Sequence, residues 1–88
     1  MSNPGSELLT PTLIRAARAL LGYDQATLAA LTGISTKTIG LIETMEATPT
    51  DARRRRVLEE LRTKMEDELH VEFVFAGPET GEGVRLRR

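Results

Sequence analysis

The sequence predicts a mainly α-helical chain, four helices followed by a C-terminal β-hairpin, and three observations carry that expectation. Apolar residues recur at three- and four-residue spacing from Leu13 to Leu69, the period of amphipathic helices. Cap residues and glycines divide this stretch: Thr10-Pro11, Asp24 and Ser35 open helices, and Gly22 and Gly33 close them. Past His70 the period drops to two, as in half-buried strands. Aromatic residues are only 3% of the chain, so its core must be built from Leu, Ile, Val, Ala and Met, which suits packed helices.

Taken in order, residues 1–9 carry Pro, Gly and Ser without periodicity and are expected to form a frayed tail. Thr10 reads as an N-cap and Pro11 as the first position of a helix over about 11–21. Leu13, Ile14, Ala17, Leu20 and Leu21 are its apolar set, and Gly22 ends it. Asp24 caps a second helix, Gln25 to Leu31, with Leu28 and Leu31 inward. Thr32-Gly33-Ile34 is the connection, where Gly33 suits the positive φ of a tight helix–helix turn. Ser35 caps a third helix running to about Met45, and its Ile39 and Ile42 continue the inward face begun by Ile34. A fourth helix over roughly 50–68 carries Val57, Leu58, Leu61, Met65 and Leu69.

Val71, Phe73 and Phe75 then alternate with Glu72 and Val74; AGPETGEG breaks the run and VRLR resumes it, giving a hairpin of about 71–76 and 83–87. Two strands alone are marginal in water, so the hairpin must pack on the helices or pair with another subunit. Val71, Phe73, Phe75, Val84 and Leu86 are the candidate dimerisation residues. The expected division is a tail over 1–9, a helical domain over 10–69 and the hairpin over 70–88.

Composition narrows the function. A chain of 88 residues supports one small domain with a marginal core, to which dimerisation would add burial. The absence of cysteine removes disulfides, thiolate metal sites and cysteine nucleophiles, and fits a reducing cytoplasm. The N-terminal sequence has no secretory pattern and no apolar run reaches membrane-spanning length, so a soluble intracellular protein is expected. His70, the one histidine, has no acids arranged around it as a metal site and reads as a junction residue. Glu66, Asp67 and Glu68 read as a solvated helix end. No Ser/His/Asp or phosphate-loop pattern is present, so neither catalysis nor a cofactor or metal is expected. The net charge of −1 argues mildly against nucleic acid as a partner. Its distribution weakens the objection: residues 1–62 hold eight Lys/Arg against seven Asp/Glu, and residues 63–88 hold four against six.

The informative stretch is DQATLAALTGISTKTIGLIE, residues 24–43. A helix-turn-helix needs a small residue where its helices cross, here Ala29; a turn-tolerant residue, Gly33; and apolar residues facing a shared core, here Leu28, Ile34, Ile39 and Ile42. One face of the third helix is left free of core duty, carrying Thr36, Lys37, Gly40, Leu41 and Thr44. In such motifs this face enters the major groove.

This segment resembles the Cro/phage-repressor type of helix-turn-helix, the XRE family, through Gln25, Leu28, Ala29, Gly33, Ile34, Ser35, Thr38, Ile39, Ile42 and Glu43. The preceding IRAARALLG is similar to that family's first helix, and the resemblance covers about residues 12–62. It implies a repressor-like fold that binds double-stranded DNA. By the resemblance, Gln25 bonds a phosphate and braces the recognition helix, Ser35 and Thr38 contact phosphate or the helix end, and Arg18 and Glu43 form a partly buried ion pair. Thr36 and Lys37 fall at the first base-reading positions, where lysine can donate to guanine O6 and N7.

The sequence also departs from the family pattern. Gly40 and Leu41 stand where polar contacts are common, so Gly40 can only permit close approach and Leu41 can only touch a thymine methyl. Met45-Glu46 replaces a common phosphate-contacting segment. Arg53 to Arg56 could compensate from the start of the fourth helix, with Arg53 and Arg54, like Thr44, as candidate backbone contacts. The expected function is a homodimeric repressor or autoregulator in the cytoplasm, on the nucleoid of a prokaryote or phage, reading a near-palindromic operator. The alternative is an antitoxin or adaptor that uses the same fold mainly to bind a protein partner.

Overall fold

The computed structural model describes residues 8–87, as α1 (Pro11–Leu21), α2 (Gln25–Thr32), α3 (Thr36–Ile42), α4 (Ala52–Glu68), β1 (Val71–Val74) and β2 (Gly83–Leu86). Each helix start has its own acceptor for an orphan backbone N–H. Thr10 Oγ1 accepts from Leu13, Asp24 Oδ1 from Thr27, Ser35 Oγ from Thr38 and Asp51 Oδ1 from Arg53, at 3.2, 2.7, 3.1 and 2.9 Å. Gly22 and Gly33 end α1 and α2 with φ of 73° and 76°, a left-handed conformation that costs any residue with a Cβ.

The core joins every layer. Leu9, Leu13, Ile14 and Ala17 meet Leu28 of α2, Ile39 and Ile42 of α3, Leu58, Leu61 and Met65 of α4, and Val71 and Phe73 of β1. The hairpin is antiparallel, with Val71 opposite Leu86, Glu72 opposite Arg85, Phe73 opposite Val84 and Val74 opposite Gly83. Its β2 lies along α1 and its β1 along α4. Thr10 Oγ1 donates to the Glu82 carboxylate at 2.9 Å, fastening the loop before β2 to the start of α1.

Several expectations are corrected. Leu8 and Leu9, placed in the tail, pack on the core, and Leu9 is 2% exposed; the remainder of that segment, residues 1–7, lies outside the described residues. The third helix stops at Ile42 rather than Met45, because the chain tightens there: the Thr44 N–H bonds the Leu41 carbonyl at 3.2 Å, a three-residue step. Leu31 is 47% exposed, since α2 turns Leu28, Ala29 and Thr32 inward instead. Thr32 can be buried because its hydroxyl donates to the Leu28 carbonyl at 2.7 Å. Leu20 is 44% exposed, two turns beyond Leu13 on the same side of α1 and past the cover that buries it.

The dimerisation set is also divided. Val71 and Phe73 are buried in this chain's own core, which removes them from any contact with a second subunit. Phe75 is half-buried, 6.4 Å from Phe73 and with the Arg62 guanidinium 4.6 Å from its ring centroid. The physical reason is that the alternating apolar face of β1 finds its cover on α1 and α4. Only Val84 and Leu86 keep substantial exposure.

Candidate nucleic-acid interface

The site begins at Glu43, directly after α3. Its carboxylate is almost fully buried and is held by both faces of a fork: Arg18 Nε donates to Oε2 at 2.6 Å and Arg18 Nη2 to Oε1 at 2.8 Å. Gln25 Nε2, from the first turn of α2, donates to the same Oε1 at 3.2 Å. Burial by itself would raise the Glu43 carboxyl, but the hydrogen bonds from Arg18 and Gln25 and the charges of Arg18 and Arg15 outweigh it and hold the group below its ordinary value. Arg18 is correspondingly raised by its bond to Glu43. Three helices therefore meet at one carboxylate, and the angle of α3 is set there.

Arg15 was missed in the sequence. Its Nη1 donates to the Glu43 backbone carbonyl at 2.5 Å, so Arg15 and Arg18 together clamp the C-terminal end of α3. Their three-residue spacing on one helix, with Glu43 already implied as a partner, was the available signal.

Beyond this clamp, α3 presents Thr36, Lys37 and Leu41 to solvent, with Gly40 and Thr38 half-exposed between them. Leu41 is 49% exposed. Ser35 and Thr38 come together: the Ser35 hydroxyl donates to Thr38 Oγ1 at 2.8 Å, which leaves the Thr38 proton as the one available to an outside acceptor. Thr44 behaves differently from its expected role. Its hydroxyl donates to the carbonyls of Gly40 and Leu41, both at 3.1 Å, and so closes the helix end rather than offering a proton to phosphate. Gln25 braces α3 as expected, with Oε1 lying 3.6 Å from where a Cβ at Gly40 would stand.

The four arginines at the start of α4 separate as helical geometry requires. Arg54 lines a shallow hollow with Leu41, Met45, Glu46 and Pro49, which places it beside the free face of α3. Arg55 donates to the Pro49 carbonyl at 3.1 Å. Arg56 lies with Glu59, Glu60 and Lys64 on another side of α4, and Arg53 is exposed. Asp24, at the start of α2, is held below the ordinary carboxylate range by its bonds to Thr27. Among the described residues no helix is long and apolar enough to cross a membrane.

Comparison with known proteins agrees with this geometry. No curated protein and no solved structure matches the chain. The helix-turn-helix family profile matches residues 14–67, from the first buried turn of α1 almost to the end of α4. That span takes in the Arg18–Glu43 clamp, the Gly33 turn and the free face of α3. The chain belongs to the XRE-type helix-turn-helix family of DNA-binding regulators.

Proposed function

We propose that this regulator is a homodimeric repressor or autoregulator that reads a near-palindromic operator by laying α3 in the major groove. The observation that carries the reading is a recognition helix clamped at its C-terminal end by Arg18, Arg15 and Gln25 while Thr36 and Lys37 stand free at its start. Lys37 donates to guanine, Thr36 bonds a base edge or a thymine methyl, and Leu41 adds apolar contact. Gly40 lets the groove wall approach closely. Gln25, Ser35, Thr38, Arg53 and Arg54 hold the sugar–phosphate backbone, which fixes register without carrying sequence information. With so few hydrogen-bonding readers, DNA shape supplies a further part of the specificity.

The domain measures 34 × 34 × 20 Å. Two copies joined along either long dimension would lie about one turn of B-DNA apart, the half-site spacing of such dimers at roughly 34 Å. The repressor would act on the nucleoid of a prokaryote or phage, in the cytoplasm. The test is binding to the DNA upstream of its own gene across a salt series. Binding that weakens steeply with salt and is competed only by that DNA supports the reading; undetectable or salt-independent binding overturns it.

A second reading, an antitoxin or adaptor that docks a protein, draws on a different observation. Residues 25–36 contain no charged side chain, and Leu31 and Leu41 are both about half exposed. Lys37→Ala separates the two, because it relaxes site preference in a DNA reader and leaves DNA binding unchanged in an adaptor.

A further inference from the structure

The open edge of the hairpin points to how the dimer proposed above is joined, and this inference rests on that dimer. The Arg87 N–H donates to the His70 carbonyl at 2.7 Å, and the register runs on from Val71 opposite Leu86. Antiparallel strands alternate pairs that exchange both backbone hydrogen bonds with pairs that exchange none. His70 and Arg87 exchange theirs, so Glu72/Arg85 and Val74/Gly83 do as well, whereas Val71/Leu86 and Phe73/Val84 do not. The N–H and C=O groups of Val84 and Leu86 therefore point away from β1, and among the described residues they meet no hydrogen-bond partner. The outer edge of β1 is closed, with Val71 at 0% and Phe73 at 7% exposure. β2 has no buried residue, and Leu86 is 45% exposed. An open edge with apolar residues at its outward-bonding positions is a template for another strand.

We propose that β2 pairs antiparallel with β2 of a second copy across a two-fold axis at Arg85, giving one continuous four-stranded sheet. Parity and side-chain matching select this register. Outward-pointing groups can bond only to outward-pointing groups, so Val84 and Leu86 must face their own kind. Centred on Arg85, Val84 lies opposite the partner's Leu86 and Leu86 opposite the partner's Val84, with all four side chains on the core side of the sheet. Centred on Leu86, Arg85 would face the partner's Arg87; centred on Val84, Leu86 would face the partner's Glu82. The two Arg85 side chains that meet in the selected register do so on the outer face, where each is already held by its own Glu72 at 2.6 Å. An acidic peptide would have to displace that carboxylate, whereas a second copy leaves it in place. The seam is self-complementary, as a two-fold contact requires. Strands of four residues bury less than the roughly 1,200 Å² of a stable free dimer, so the pair is weak alone and completed on DNA.

The absence of cysteine makes a clean test possible. Opposed residues of a non-bonded pair have Cα atoms about 4.5 Å apart, within disulfide reach. In oxidised glutathione, Arg85→Cys should form a disulfide-linked dimer, at least about tenfold faster than Gly83→Cys or Leu31→Cys. Leu86→Lys should raise the dimer dissociation constant at least about tenfold in sedimentation while leaving the thermal melt unchanged, since Leu86 is 45% exposed. A wild-type dimer that Leu86→Lys leaves intact, or an Arg85→Cys variant that cross-links no faster than the controls, overturns the seam but not the dimer. A chain that stays monomeric at every concentration and on DNA overturns both. A monomer whose Val84 and Leu86 amides become protected from exchange by a polyglutamate peptide assigns the edge to an acidic partner and also overturns the proposal.

Discussion

Arg18 grips both carboxylate oxygens of Glu43, at 2.6 and 2.8 Å, and in doing so ties α1 to the end of α3 across 25 residues of chain. Glu43 is almost fully buried, so losing Arg18 leaves a charge with fewer partners and little water. Arg18→Ala is expected to cost about 3 kcal/mol of unfolding free energy. The double variant Arg18→Ala/Glu43→Gln should recover part of it, because the stranded charge is gone. A denaturant series on the two variants measures the difference, and equal losses would show that no charge was stranded.

The same carboxylate sets a pH dependence. Its pKa is lower folded than the 4.5 of the free group, so the unfolded chain takes up the proton first. The stability contributed by Glu43 is thus complete above about pH 4.5 and is lost as pH falls through the lower folded value. Asp24 and Glu72, also lowered, act in the same direction. Thermal melts between pH 3 and 6 should show Glu43→Gln with a flatter acid limb than the wild type, while some slope remains.

Two glycines should respond oppositely to alanine. Gly33 has φ of 76° and open space around it, so Gly33→Ala costs about 1 kcal/mol through the backbone alone, and Gly33→Asn costs less. Gly40 is helical, and a Cβ there meets Gln25 Oε1 at 3.6 Å, an ordinary contact. Gly40→Ala should therefore stabilise the fold by about 0.5–1 kcal/mol. If the groove wall approaches Gly40 as proposed, the same variant binds DNA less tightly despite its greater stability.

Lys37 and Arg54 separate base reading from backbone holding. Lys37→Ala should reduce discrimination between operator and random DNA by about 1–3 kcal/mol. Arg54→Ala should weaken both alike and lower the salt slope of binding by about one unit. Titrations of each variant at several salt concentrations, on both DNAs, check the pair.

The hairpin belongs to the core, so Phe73→Ala should cost about 3 kcal/mol, as for a buried aromatic residue, even at concentrations where the chain is monomeric. A variant that loses stability only in step with dimer dissociation would contradict the burial seen for Phe73.

What the sequence determined by itself was local. Caps at Thr10, Asp24 and Ser35, the turns at Gly22 and Gly33, and the change of period after His70 each act within a few residues, and all six elements were legible from them. The helix-turn-helix was legible for the same reason, since its spacing is a short-range pattern. Tertiary packing decided the rest. Leu31 and Thr32 are neighbours, yet the apolar one faces solvent and the polar one is buried, because Thr32 satisfies its own hydroxyl on Leu28 and α2 meets the core on that side. Arg15 acquires a role only when the end of α3 is brought to it. Val71 and Phe73 alternate as a strand facing any apolar surface would, and only the fold shows that this surface is the chain's own α1 and α4. A periodic pattern says that a face will be covered; which partner covers it depends on where distant elements lie.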